Sequence, residues 1–238
     1  MKKHFIEVEN GEEVTAVHHE TSSDKCVFFC HGFGSDKEGS YEERAERAVE
    51  EGFNAVRFDF RGNGESDGEF IDQNLSSRIK DLETVIDYFD FENVYLYGMS
   101  FGGKVIIHAA EDLECEALIL KSPVTFNDIM DKFRSVVEEK GSYTHFDDKT
   151  VNKSFFEDFD NYSFDEASKI LDCPVAFFHG SEDSTVHFEK RLEAFGKISS
   201  DSALFRLKGE KHSLTEEAEL RMQDLMFSWL HSLTPEPK

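Results

Sequence analysis

A serine flanked by glycines two residues away on either side, Gly98-Met99-Ser100-Phe101-Gly102, is the strongest chemical signal in this sequence. The apolar run Val94–Tyr97 precedes it and a helical pattern follows it. A tight turn from strand to helix holds its central residue in strained backbone geometry, so small residues must flank it. It also sets the seryl hydroxyl at a helix N-terminus, where free N–H groups and the helix dipole favour a developing anion. The chemistry on offer is nucleophilic attack by Ser100.

A seryl hydroxyl needs a base to become a useful nucleophile. His212 follows the run Ala203–Leu207 and precedes the last helical pattern, which sets it apart from the other histidines. An imidazole base needs a carboxylate to orient it and to stabilise its cation. His179-Gly180-Ser181-Glu182-Asp183 follows the preceding run, with Asp183 the candidate and Glu182 the second choice. Attack on a carbonyl also needs N–H donors for the oxyanion. Phe101, just after the serine, offers one, and Phe33 in His31-Gly32-Phe33-Gly34 offers the other. His31 reads as a hydrogen-bonded support of that loop. Asp59 and Arg61, in Asp59-Phe60-Arg61-Gly62-Asn63-Gly64-Glu65-Ser66, read as a brace across a turn.

These residues must be carried by strand ends. Six runs rich in β-branched and aromatic residues, Cys26–His31, Ala55–Asp59, Val94–Tyr97, Ala117–Leu120, Val175–His179 and Ala203–Leu207, suit parallel strands buried on both faces. His4–Val8 and Val14–His19 flank Asn10-Gly11, a hairpin signal. Leu75, Ile79, Leu82, Val85, Ile86 and Phe89 share one helix face, and Ala218, Met222, Leu225, Met226 and Trp229 share another. Glu42–Glu51 and Phe101–Ala110 also read as helices. Strands alternating with helices imply a doubly wound sheet whose carboxyl edge binds ligands.

Residues 123–171 are too long for a simple crossover and read as a cap over the sheet. The cap holds Phe126, Phe133, Tyr143, Phe146, Phe155, Phe156, Phe159, Tyr162 and Phe164. Some of these must pack it onto the body, and the remainder would line a pocket. The tail Thr234–Lys238 reads as frayed.

Composition narrows the partners. The formal net charge of −24 repels phosphate backbones and anionic bilayers, so neither nucleic acid nor membrane is an expected partner. The same acidity suits a surface kept soluble by salt, although Lys outnumbers Arg and Glu outnumbers Asp, against the usual haloarchaeal bias. Cys26 and Cys30 lie too far apart along one strand to bridge. With Cys115 and Cys173 they read as reduced thiols, and with no signal-peptide pattern the expected location is cytoplasmic. Strand alternation sends His18 and His19 to opposite faces, against a shared metal.

Taken in order, H-G-x-G, D-x-R-G-x-G-x-S, G-x-S-x-G-G, H-G-x-x-D and a late G-x-x-H resemble the α/β-hydrolase superfamily over nearly the whole chain. The cap's length and position resemble the small cinnamoyl/feruloyl esterases, and the composition is similar to that of uncharacterised haloarchaeal members. The resemblance implies one α/β-hydrolase domain over 1–238, with an eight-stranded, mostly parallel sheet, helices on both faces and a helical cap. It implies a Ser100–His212–Asp183 triad, oxyanion donors at Phe33 and Phe101, and no cofactor or metal. Ser100 stands where haloalkane dehalogenases have Asp and dienelactone hydrolases have Cys. Met99 stands where relatives often have a polar residue, and Phe101 adds bulk beside the oxyanion site.

The expected activity is hydrolysis of a small apolar or aromatic carboxylic ester through an acyl-enzyme. A thioesterase or acyltransferase could use the same residues, but acidic residues outnumber basic ones twofold over 122–172, against a strongly anionic substrate. A peptidase of the prolyl-oligopeptidase type usually carries an extra domain for which the chain has no room. A binding protein that has lost catalysis would not need every one of these residues.

Overall fold

A computed structural model describes residues 1–145 and 149–233. Phe146 and the tail 234–238 lie outside the described residues. The chain opens with the hairpin expected at Asn10-Gly11. Strands β1 (Lys2–Glu9) and β2 (Glu12–His19) pair antiparallel, and Asn10 and Gly11 both take positive φ, 55° and 79°. Two such residues give a turn whose twist matches the flanking strands.

Strands and helices then alternate: β3 (Lys25–Cys30), α1 (Ser40–Glu50), β4 (Asn54–Phe58), α2 (Leu75–Phe89), β5 (Asn93–Met99), α3 (Phe101–Ala109) and β6 (Ala117–Lys121). The segment after β6 contains α4 (Asp131–Lys140), the short strands β7 (Ser142–Thr144) and β8 (Thr150–Asn152), α5 (Lys153–Phe159) and α6 (Phe164–Ile170). The chain returns through β9 (Val175–Gly180), α7 (Phe188–Phe195), β10 (Ser202–Leu207) and α8 (Glu216–Leu233). The main sheet has the order β1-β2-β4-β3-β5-β6-β9-β10. β2 is antiparallel to both its neighbours, and every other pairing is parallel.

Alternation along single strands builds two cores. In β3, Cys26, Phe28 and Cys30 face the layer that holds Leu82, Val85, Val105 and Ile106 of α2 and α3. Val27 and Phe29 face the layer that holds Ala45, Ala48, Met222 and Met226 of α1 and α8. Truncating a ring such as Phe28 would cost about 3–5 kcal/mol.

The cap is pinned to the body by polar contacts that it shares with two helices. Asp158 of α5 accepts the main-chain N–H groups of Leu75 and Ser76 at 2.9 and 3.1 Å, at the start of α2. Lys104 of α3 is buried and donates to Thr125 O, Asn127 Oδ1 and Tyr162 O at 3.2, 2.8 and 3.1 Å. Burial lowers its pKa to about 7. The cap is not wholly helical, because β7 and β8 form a small antiparallel hairpin.

Candidate active site

Ser100 occupies the turn between β5 and α3 with φ 54° and ψ −115°. A non-glycine residue at that φ is strained by about 1–3 kcal/mol. Three main-chain bonds hold it there: Ser100 N–H donates to Lys121 O at 2.9 Å, and Ser100 O accepts from Gly103 and Val124 at 3.1 and 2.8 Å. The turn also needs its following glycine, because a Cβ on Gly102 would strike the carbonyl oxygens of Cys30 and His31. That close approach brings the start of α3 against the loop after β3, so Phe33 and Phe101 meet with ring centroids 5.6 Å apart.

Asp183 and His212 lie on two neighbouring loops that are joined by main-chain bonds. Ser181 N–H donates to Leu207 O at 2.9 Å and Glu182 N–H to Glu210 O at 2.8 Å. Gly180 is required at this seam, since a Cβ there would meet the carbonyl oxygens of Glu210 and Lys211. Glu210 in turn accepts Thr215 N–H at 2.9 Å and pins the far end of the His212 loop. The outcome is a 2.8 Å hydrogen bond between His212 Nδ1 and Asp183 Oδ2.

Asp183 is buried and well supplied with donors. Its Oδ1 accepts Thr185 and Val186 N–H at 2.9 Å each, and its Oδ2 lies 3.2 Å from His179 Nε2. Burial pushes the carboxyl pKa up. The bonds to His179 and His212, the charge of His212 and the Val186 N–H outweigh it and hold Asp183 far below the usual carboxylate range. Glu182, the second choice from the sequence, does not make this contact with His212; its own N–H serves the seam.

Ser100, Phe33, Phe101 and His212 line one cavity of about 430 Å³. The Phe101 N–H belongs to the first turn of α3, where no carbonyl of the helix can accept it. The Phe101 ring is buried and packs on Phe155 and Phe159 of the cap at 5.9 and 6.0 Å. Its bulk therefore serves largely to seat the cap. Phe155, Phe156, Phe159 and Phe164 are likewise buried as packing, whereas Phe133 lines the cavity.

His31 is a buried brace. Its ring bonds Gly32 O through Nδ1 at 2.9 Å and accepts Phe60 N–H at Nε2 at 3.1 Å. Burial lowers its pKa to about 3, with Arg78, Lys149 and Lys37 acting in the same direction against the Gly32 bond. The expected Asp59–Arg61 brace is a different pairing. Asp59 bonds Lys37 through N and Nζ at 2.7 and 2.8 Å, while Arg61 bonds Asp81 at 2.7 Å. Both pairs stiffen the loop, but the partners come from other elements, and local spacing carries no trace of them. Lys132 and His145 also line the cavity and had no signal in the sequence.

A larger cleft of about 510 Å³ lies between α1 and α8 and shares only Met99 and Ser213 with the Ser100 cavity. Its charged floor is internally paired: Glu219 accepts from Arg44 at 2.6 Å and from Lys121 at 2.9 Å. Burial pushes the Glu219 carboxyl up, but the two cations outweigh it and hold its pKa at about 2. Among the described residues, no group of three His, Cys, Asp or Glu side chains is arranged to hold a metal.

Residues 21–147, just over half the chain, match the family model Hydrolase_4, serine aminopeptidase S33. This chain belongs to that α/β-hydrolase family. Among curated relatives, this α/β hydrolase is 25% identical over 186 residues to the mitochondrial palmitoyl-protein thioesterase ABHD10 of Homo sapiens. The match takes in 72% of this chain but only 61% of the human protein. Among solved structures, Est1E from Butyrivibrio proteoclasticus with bound ferulic acid superposes with a TM-score of 0.85 at 22% identity, covering 97% of this chain and 98% of that one. Mouse ABHD10 superposes with a TM-score of 0.86 at 20% identity, covering 98% and 100%. At these identities the superpositions speak for the fold of the hydrolase, which is the one expected from its sequence. No helix among its described residues is long and apolar enough to cross a membrane.

Proposed function

We propose that this chain, acting as one catalytic unit with a cap over roughly 123–171, hydrolyses carboxylic esters of small apolar or aromatic acids. The reading is carried by one observation: His212 is held on Asp183 at 2.8 Å through Nδ1, and it lines the same cavity as Ser100 at its strained turn. With Nδ1 engaged, the other ring nitrogen, Nε2, is the one free to take the Ser100 proton.

Ser100 Oγ attacks the ester carbonyl and passes its proton to His212. Asp183, ionised at any working pH, stabilises the imidazolium. The N–H groups of Phe33 and Phe101 hold the oxyanion. His212 then returns the proton to the leaving alcohol, and the acyl group stays on Ser100. Water then attacks the acyl carbonyl as His212 takes its proton; the bond to Ser100 Oγ breaks, His212 returns the proton to that oxygen, and the acid is released. Phe133, Ile129 and Met130 give the cavity an apolar cap wall that suits the acyl group.

Thioester hydrolysis is the second reading. The human relative carries that name, and the cavity mouth is less acidic than the cap's composition suggests. Lys132 lines both the cavity and an adjoining groove that also holds His187 and Lys190, the last paired with Asp128 at 2.6 Å. A chromogenic ester panel from acetate to long acyl chains, with an aryl-acrylate ester and matched thioesters, separates the two on wild type and Ser100→Ala. Ester turnover that disappears in Ser100→Ala supports the first reading. Turnover of thioesters alone favours the second.

A further inference from the structure

The sulfur atoms of Cys115 and Cys173 lie 3.1 Å apart. The two residues are 58 positions apart, with β6 and the whole cap between them. Main-chain pairing holds both segments in place: Leu118 N–H donates to Pro174 O at 2.9 Å, and β6 and β9 continue in parallel from Leu118 opposite Val175. Cys173 is buried and Cys115 is partly open to solvent. Cys26 and Cys30, by contrast, are enclosed in the core.

We propose that Cys115 and Cys173 form a reversible dithiol–disulfide pair, oxidised by small uncharged peroxides. The chemistry divides between the two sulfurs. Cys115 donates its S–H to Cys173, which favours ionisation at Cys173 and opposes it at Cys115. The Cys173 thiolate attacks one peroxide oxygen, the O–O bond breaks, and the leaving hydroxide takes a proton to become water. Cys115 sulfur then attacks the sulfenic sulfur of Cys173, the S–O bond breaks, and a second water leaves with the Cys115 proton. Two thiols lose two electrons and two protons, and hydrogen peroxide becomes two waters. Asp172 and Glu116 face both thiols and oppose thiolate formation. Their charges repel anionic oxidants such as glutathione disulfide, so a neutral oxidant is specified.

The pair sits at the amino ends of β6 and β9, whereas Ser100 follows the carboxyl end of β5. A bond there joins the entrance of β6 to the exit of the cap without touching the Ser100 cavity. It closes a loop between residues 58 positions apart in the unfolded chain, lowers that chain's entropy and raises the melting temperature by several degrees.

The test treats the full chain, natively folded, with hydrogen peroxide, then counts thiols after denaturation and maps non-reduced peptides by mass spectrometry. The expected result is a fall from four free thiols to two, a Cys115–Cys173 linked peptide, a higher melting temperature, and full reversal by dithiothreitol. Cys115→Ser and, independently, Cys173→Ala should lose the link and the shift. Four surviving thiols, a different pairing, or direct conversion of Cys173 to sulfinic acid without a link would overturn the proposal.

Discussion

Asp183 bonds His212 with one carboxylate oxygen at 2.8 Å and takes the N–H groups of Thr185 and Val186 on the other at 2.9 Å. The acceptor is thus fixed before the imidazole arrives. Asp183→Asn can keep most of the shape but loses the charge and presents an amide to Nδ1. Turnover of an activated ester should fall by roughly 10⁴, as the loss of a triad carboxylate does elsewhere. Steady-state kinetics measures it, with a melting curve to establish that the variant folds. A loss of less than tenfold would remove Asp183 from the reaction.

His31 links two loops only while it is neutral, because Nε2 must accept the Phe60 N–H. Its folded pKa is about 3, and the unfolded value is about 6.5. The unfolded chain therefore takes the proton first as pH falls. The stability this group contributes is full above about pH 6.5 and is lost progressively towards pH 3. His31→Ala should cost about 1–3 kcal/mol at neutral pH by leaving a buried N–H without an acceptor. It should also flatten the acid side of the stability profile. Urea unfolding at several pH values tests both; an unchanged acid slope contradicts the assignment.

Phe133 stacks on Tyr143 at 4.6 Å and closes the cap side of the cavity. Phe133→Ala lengthens the space available to the acyl group. The best substrate in a chain-length series should move to longer acids, with kcat/KM for acetate nearly unchanged. A uniform fall across the series would mean that the ring only supports the cap.

The surface charge gives a separate expectation. A net charge of −24 repels itself in the folded state, and salt screens that repulsion. The melting temperature should rise by several degrees from low salt to molar KCl. A flat response would assign the acidity to solubility alone.

The placement of Ser100, Asp183 and His212 is legible because each follows a short apolar strand, where local pattern and strand end coincide. The Asn10-Gly11 hairpin and helix α2 were legible for the same reason. The cap hairpin was not, since three-residue strands are too short to show alternation. α7 was hidden by Arg191, a buried cation on its inner face that bonds Pro123 O at 2.5 Å and interrupts the apolar stripe. The choice of Lys37 rather than Arg61 for Asp59, and the presence of Lys132 and His145 in the cavity, depend on how distant segments pack. No local spacing encodes them.

The most direct measurement is active-site labelling with a fluorophosphonate, followed by peptide mass spectrometry of the full chain. The expected result is one adduct, on Ser100, formed quickly in wild type and suppressed in His212→Ala, which should still fold. No adduct on Ser100 of folded wild-type protein, or one whose rate does not change without His212, would contradict a serine nucleophile activated by that histidine.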